Sequence, residues 1–180
     1  TFTNKAAKEI KERLERTLCD REISDSIWAG TFHSVCVRIL RKFGSRLGYI
    51  DGFSIYDTDD KKRMITQCMK ELSIDEKRLA PKAVANAISM AKDELKGPDE
   101  IEVTRDPRSK DIIAIYRLYQ EKLMAYNAFD FDDLIMKTVE LLETDSEVRE
   151  YYQNKFKYVL VDEYQDTNYA QFRLTELISG

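Results

Sequence analysis

The sequence predicts an α/β protein that is predominantly helical, and three observations carry that expectation. Punctuation is sparse, with six glycines and three prolines in 180 residues, so long helices are expected. Several stretches repeat apolar residues at intervals of three and four, the period of an amphipathic helix. Against that background stands the run 158–161, Tyr-Val-Leu-Val, which ends abruptly in Asp162 and Glu163. A fully buried parallel strand gives such a run, and ligands of open α/β sheets gather just beyond strand carboxyl ends.

The elements follow in order. Residues 4–18 are helical by period: Ala6, Ala7, Ile10, Leu14, Thr17 and Leu18 share one face, with Lys, Arg and Glu opposite. Residues 27–30 read as a short strand leading into Thr31-Phe32-His33-Ser34. A second amphipathic helix turns Val35, Cys36, Ile39, Leu40, Phe43 and Leu47 inward, before Gly44, Gly48 and Gly52 break the pattern and 53–56 extends. Asp57 suits the N-cap of a helix carrying Met64, Ile65, Cys68, Met69 and Leu72. Pro81 fits the first turn of the next helix, which carries Val84, Ala87, Ile88, Ala91 and Leu95 and stops at Gly97-Pro98. A polar connection, 99–108, precedes a long helix over 109–126. Asp130 can cap a helix through Leu142, another spans 146–154 ahead of the final strand, and 169–178 closes the chain.

Composition bounds the function. No apolar run approaches membrane-spanning length and no signal-peptide pattern occurs, so a cytoplasmic protein without membrane contact is expected. Three scattered cysteines, Cys19, Cys36 and Cys68, lack metal-ligand spacing and read as reduced thiols. The net charge of −4 is unevenly spread: residues 1–50 carry +4, 51–110 carry −1 and 111–180 carry −7. A pI near 5.3 argues against a general polyanion-coating protein but leaves room for a local basic, DNA-facing surface.

Four phrases carry candidate chemistry. Asp162-Glu163-Tyr164-Gln165-Asp166 places two acids where one can hold Mg²⁺ and the other can orient or deprotonate water. Thr1-Phe2-Thr3-Asn4-Lys5 sits at an expected strand-to-helix turn, whose free N–H groups suit phosphate and whose Phe2 could stack on a base. Taken alone, the phrase is more simply an N-capped helix with Phe2 in the core. Thr31-Phe32-His33-Ser34 holds the chain's one histidine, a residue most often structural. Phe129-Asp130-Phe131-Asp132-Asp133 reads as an acidic helix start, although its paired phenylalanines are unexplained by that reading.

Taken together and in this order, T-F-T-N-K-A-A, T-F-H-S, F-D-F-D-D-L and V-D-E-Y-Q-D-T-N resemble the first RecA-like lobe of the UvrD/PcrA/Rep superfamily-1 DNA helicases. The resemblance spans the whole chain. It implies a partial RecA-like parallel sheet of P-loop NTPase type over 1–50 and 127–180, with an inserted all-α subdomain over 51–126. It also implies an ATP-driven motor moving 3′→5′ on single-stranded DNA and opening duplex at single-strand/double-strand junctions. Asp162 matches the Mg²⁺-coordinating aspartate, Glu163 the glutamate that activates water, and Gln165 the coupling end of that motif. Phe2, Thr3, Asn4, Thr31, His33 and Phe131 match DNA-contacting positions. The family's G-x-x-x-x-G-K-[ST] loop is missing, since no glycine here is followed by lysine. ATP and Mg²⁺ are therefore expected to serve a longer parent, with neither bound tightly by these residues, and these residues alone are expected to be inactive. The incomplete sheet is expected to leave an apolar edge open to dimerisation. Two rivals are a two-metal nuclease built from Asp130, Asp132, Asp133, Asp162, Glu163 and Asp166, and a non-catalytic DNA- or protein-binding module.

Overall fold

Helices supply nearly all the regular structure of the computed structural model, which describes residues 1–18 and 26–180. In chain order they are α1 (Asn4–Leu18), α2 (Phe32–Phe43), β1 (Ser54–Tyr56), α3 (Thr58–Glu71), α4 (Pro81–Asp93), α5 (Arg108–Ala125), β2 (Ala128–Asp130), α6 (Phe131–Thr144), α7 (Ser146–Lys155) and α8 (Tyr169–Ser179). Short 3₁₀ turns follow α2 and precede α8.

The two strands pair in parallel, Ile55 opposite Phe129. A parallel pair needs a long crossover, and here α3, α4 and α5 together provide it. Successive strand side chains point to opposite faces, which places the pair between two hydrophobic cores. Phe129 joins the first core with Cys36, Ile39, Leu40, Phe53, Leu134, Leu142, Tyr152 and Leu174. Its neighbour Ala128 joins the second, with Ile65, Met69, Val84, Ile88, Ile115, Tyr116 and Leu123. Phe129 is stacked on Tyr49 at 3.9 Å and meets Phe53 edge-on at 4.7 Å. β1 falls on the extended segment expected over 53–56, although it lies within the 51–126 stretch expected to form an all-α subdomain.

The predicted caps explain where the helices begin. Asp57 and Asp130 each accept from the amide three residues on, and Asp60 and Asp133 reciprocate as capping boxes. Pro81 occupies the first turn of α4. The apolar face of α1 is less covered than its period suggests, since only Ala7 is buried.

Two expected strands are not strands. Residues 27–30 form no ladder; one parallel-type rung remains, with Thr1 N donating to Gly30 O and Phe32 N donating to Thr1 O, both at 3.2 Å. Residues 158–161, expected to be a fully buried strand, are irregular and largely exposed on one face. Val159 and Val161 pack on the first core, whereas Tyr158 and Leu160 are 90% and 93% exposed. A strand forms when neighbours accept its hydrogen bonds, and among the described residues no backbone pairs with this one.

Candidate nucleotide and nucleic-acid site

The turn before α1 is shaped by Thr3, whose Oγ1 accepts from Ala6 N at 3.1 Å. That bond fixes an N-cap while leaving Thr3 and Asn4 exposed. Phe2 is half-buried, its ring 5.4 Å from that of Phe32. The turn before α2 is built alike. Buried Thr31 caps the helix by accepting from Ser34 N at 3.1 Å, and its carbonyl accepts from Ser34 Oγ at 2.9 Å. A Cβ on Gly30 would lie 2.5 Å from Ser34 Oγ, so this turn favours glycine.

His33 projects from the first turn of α2 and meets Phe131 edge-on at 5.6 Å. Burial holds its imidazole below the ordinary 6.5, with Asp132 acting in the opposite direction, so the ring is neutral at pH 7. Phe131 is 50% exposed beside it. The two phenylalanines of the F-D-F phrase therefore divide the work: Phe129 fills the core and Phe131 faces out.

The acids of that phrase are mostly committed inward. Lys92 Nζ lies 2.8 Å from both Asp130 Oδ2 and Asp133 Oδ1, all three side chains being buried. Tyr119 donates to Asp130 Oδ2 at 2.8 Å and Gln120 to Asp133 Oδ1 at 3.2 Å. Asp132 is bound by Lys61 and Ser89. The sequence reading missed Lys92, Lys61, Ser89 and Tyr119. One signal was present: Lys92 continues the Val84, Ile88 stripe at a four-residue interval, a lysine on an apolar face.

The acidic box differs in every respect. Asp162, Glu163 and Gln165 are exposed, and their side chains make no hydrogen bond or ion pair among the described residues. Glu163 adopts the left-handed conformation (φ 52°, ψ 44°), which costs a residue with a Cβ about 1–2 kcal/mol. That turn is closed when Asp166 N donates to Glu163 O at 2.9 Å and Thr167 Oγ1 to Tyr164 O at 2.8 Å. Asp162 lies near the Thr1 turn.

Two uncommitted carboxylates suit a hard cation, which takes one or two protein acids and completes its shell with phosphate and water. No group of three or more His, Cys, Asp or Glu that could hold a metal occurs among the described residues. The six-acid nuclease cluster is thus not favoured, because Asp130 and Asp133 already serve Lys92 as a buried ion pair.

The chain belongs to the UvrD/REP helicase N-terminal domain family, whose model matches residues 1–180. It is 47% identical over 181 residues to the "ATP-dependent DNA helicase PcrA" of Staphylococcus aureus (strain Mu50 / ATCC 700699), covering 100% of this chain and 24% of that protein. The protein of the same name from Staphylococcus epidermidis (strain ATCC 12228 / FDA PCI 1200) is also 47% identical, with 25% of its length covered. The chain therefore spans about a quarter of the length of the curated relatives it matches.

Proposed function

We propose that this chain is the part of an ATP-dependent DNA helicase that carries its nucleotide-hydrolysing acids and a section of its single-strand track. The carrying observation is the convergence of the motif turns. The Thr1 and Gly30–Phe32 backbones are hydrogen-bonded, the Phe2 and Phe32 rings touch, and His33 meets Phe131. Two cores support a division into a RecA-like part, 1–50 and 127–180, and a helical part, 51–126, with Phe53 crossing into the first core and Ala128 into the second.

In the longer parent, Asp162 would hold Mg²⁺, and Glu163 would orient the attacking water and accept its proton. Mg²⁺ bound there would supply charge neutralisation for the phosphates. Gln165, two residues on, relays the state of that site. On the DNA side, Phe131 offers an open ring for base stacking, and neutral His33 braces it and offers a hydrogen bond. Thr3 and Asn4 present short polar side chains to phosphates, while packed Phe2 and Thr31 shape the turns. The parent moves 3′→5′ on single strands toward duplex junctions, in the cytoplasm. No described helix is long and apolar enough to cross a membrane.

The test uses the 180-residue chain with labelled oligothymidylate at low salt, followed by anisotropy. Phe131→Ala should weaken binding roughly tenfold, the loss of one stacked base, and added salt should weaken it further. Equal affinities for wild type and variant would remove Phe131 from the track. Without a G-x-x-x-x-G-K-[ST] loop the chain should show no DNA-stimulated ATP turnover, and measurable turnover would contradict this reading.

A further inference from the structure

Asp132 stands next to Phe131 in the first turn of α6, where the helix dipole alone would justify an acid. The dipole requires no lysine, and yet Asp132 Oδ2 accepts from Lys61 Nζ and from Ser89 Oγ, each at 2.7 Å. Lys61 Nζ also donates to Ser89 Oγ at 2.7 Å and lies 3.7 Å from Asp130 Oδ2. Lys61 is buried, an unusual place for a lysine without a specific task. Lys61 comes from α3 and Ser89 from α4, so the helices of the crossover close a triangle on the residue beside the exposed ring.

We infer that Lys61 is the positioning residue of the Phe131–His33 pair: with Ser89 it clamps Asp132, and so fixes the turn from which Phe131 projects against His33. The inference deepens the single-strand track proposed above and rests on that reading for its role in DNA binding. The acids on this side are Asp132 and Asp130 around α6 and Asp93 on α4. Burial raises the Asp93 pKa, Asp132 adds to the rise, and Lys61 opposes it. Lys61 is thus the cation that occupies Asp132 and keeps it from turning to His33.

His33 is the chain's one histidine, so its imidazole resonances report this geometry without assignment ambiguity. In Lys61→Met, which keeps the stem and removes the charge, the freed Asp132 should pair with His33. The His33 titration midpoint should then rise, and its ring resonances should shift as Phe131 moves. Lys61→Arg should restore the wild-type pattern, and Lys61→Met combined with Asp132→Asn should bring the midpoint back down. An unchanged His33 midpoint and unchanged ring resonances in folded Lys61→Met would overturn the inference. If Lys61→Met fails to fold, Ser89→Ala substitutes: it removes one donor of the clamp, the same resonances should move by less, and no movement overturns the inference.

Oligothymidylate binding separates the two claims. A several-fold loss in Lys61→Met, alongside the loss in Phe131→Ala, supports both. If Phe131→Ala binds as wild type while the Lys61→Met resonances shift, the DNA track falls and the positioning role stands. If Phe131→Ala weakens binding while Lys61→Met changes neither affinity nor His33, Lys61 positions nothing.

Discussion

Replacing Lys92 by methionine should cost this protein a large part of its stability. The Lys92 side chain is wholly buried, with its ammonium 2.8 Å from one oxygen each of Asp130 and Asp133. Burial pushes the Asp130 pKa up, but Lys92 and then Lys61 outweigh it, and the group sits at about 2 against an ordinary 3.8. That lowering is worth about 2 kcal/mol, present above pH 3.8 and lost as pH falls toward 2. Asp133 is raised by burial ahead of the pull of Lys92, and so gives some of this back. Lys92 itself is raised, since the two carboxylates outweigh burial, and its contribution persists until pH climbs past 10.5. Methionine nearly matches the lysine stem, so the variant isolates the charge and leaves two buried carboxylates unpaired. Such a loss costs about 3–5 kcal/mol, against a typical total of about 5–15. Urea titration followed by circular dichroism should show a midpoint lower by about 2 M. The pH slope should also reverse: wild type loses stability on descending through pH 3.8, whereas the variant gains it as its orphaned acids protonate. Adding Asp130→Asn and Asp133→Asn to the variant should recover much of the loss. A cost under about 1 kcal/mol, or a wild-type pH slope in the variant, would refute the account of a buried pair.

Two further outcomes are expected. Glycine at position 163 adopts φ 52° freely, so Glu163→Gly should stay within about 1 kcal/mol of wild type in thermal melts, its entropy cost offset by relief of strain. Glu163→Val should be clearly less stable, and equal melting of the two would mean the left-handed turn is not fixed. Burial pushes the Cys36 thiol up to about 12 and the Cys68 thiol up to about 11. In a Cys19→Ser chain, made because Cys19 lies outside the described residues, a thiol reagent at pH 8 should react with neither until denaturant exposes both, and prompt reaction of the folded chain would contradict that burial.

How much was legible depended on whether the determining residues are close in sequence. Caps were readable because Asp57 with Asp60, and Asp130 with Asp133, are three residues apart and satisfy the same helix turn. Helix faces were readable for the same reason, down to the inward set of α2. β2 was not, because Ala-Phe-Asp has no strand pattern of its own; it is extended because Ala128 and Phe129 must enter two different cores. The run 158–161 erred the other way. Its composition states that both faces suit burial, but composition cannot supply the neighbour, and only the face of Val159 and Val161 is covered.

The candidate site turns on the same distinction, applied to charge. In sequence, Asp130, Asp132 and Asp133 look as available to a metal as Asp162 and Glu163. What separates them is a cation delivered from afar: Lys92 reaches Asp130 across 38 residues, and Lys61 reaches Asp132 across 71. An acid that has received a lysine in a dry interior has little left to offer a metal, because displacing the lysine would strand a buried charge. An exposed acid without a partner keeps its oxygens free at no such cost. By that criterion the acids divide into a buried, lysine-paired set that anchors α6 under Phe131 and an exposed, unpaired set at 162–163, the set proposed for the chemistry. Exchanging their places would require moving two lysines.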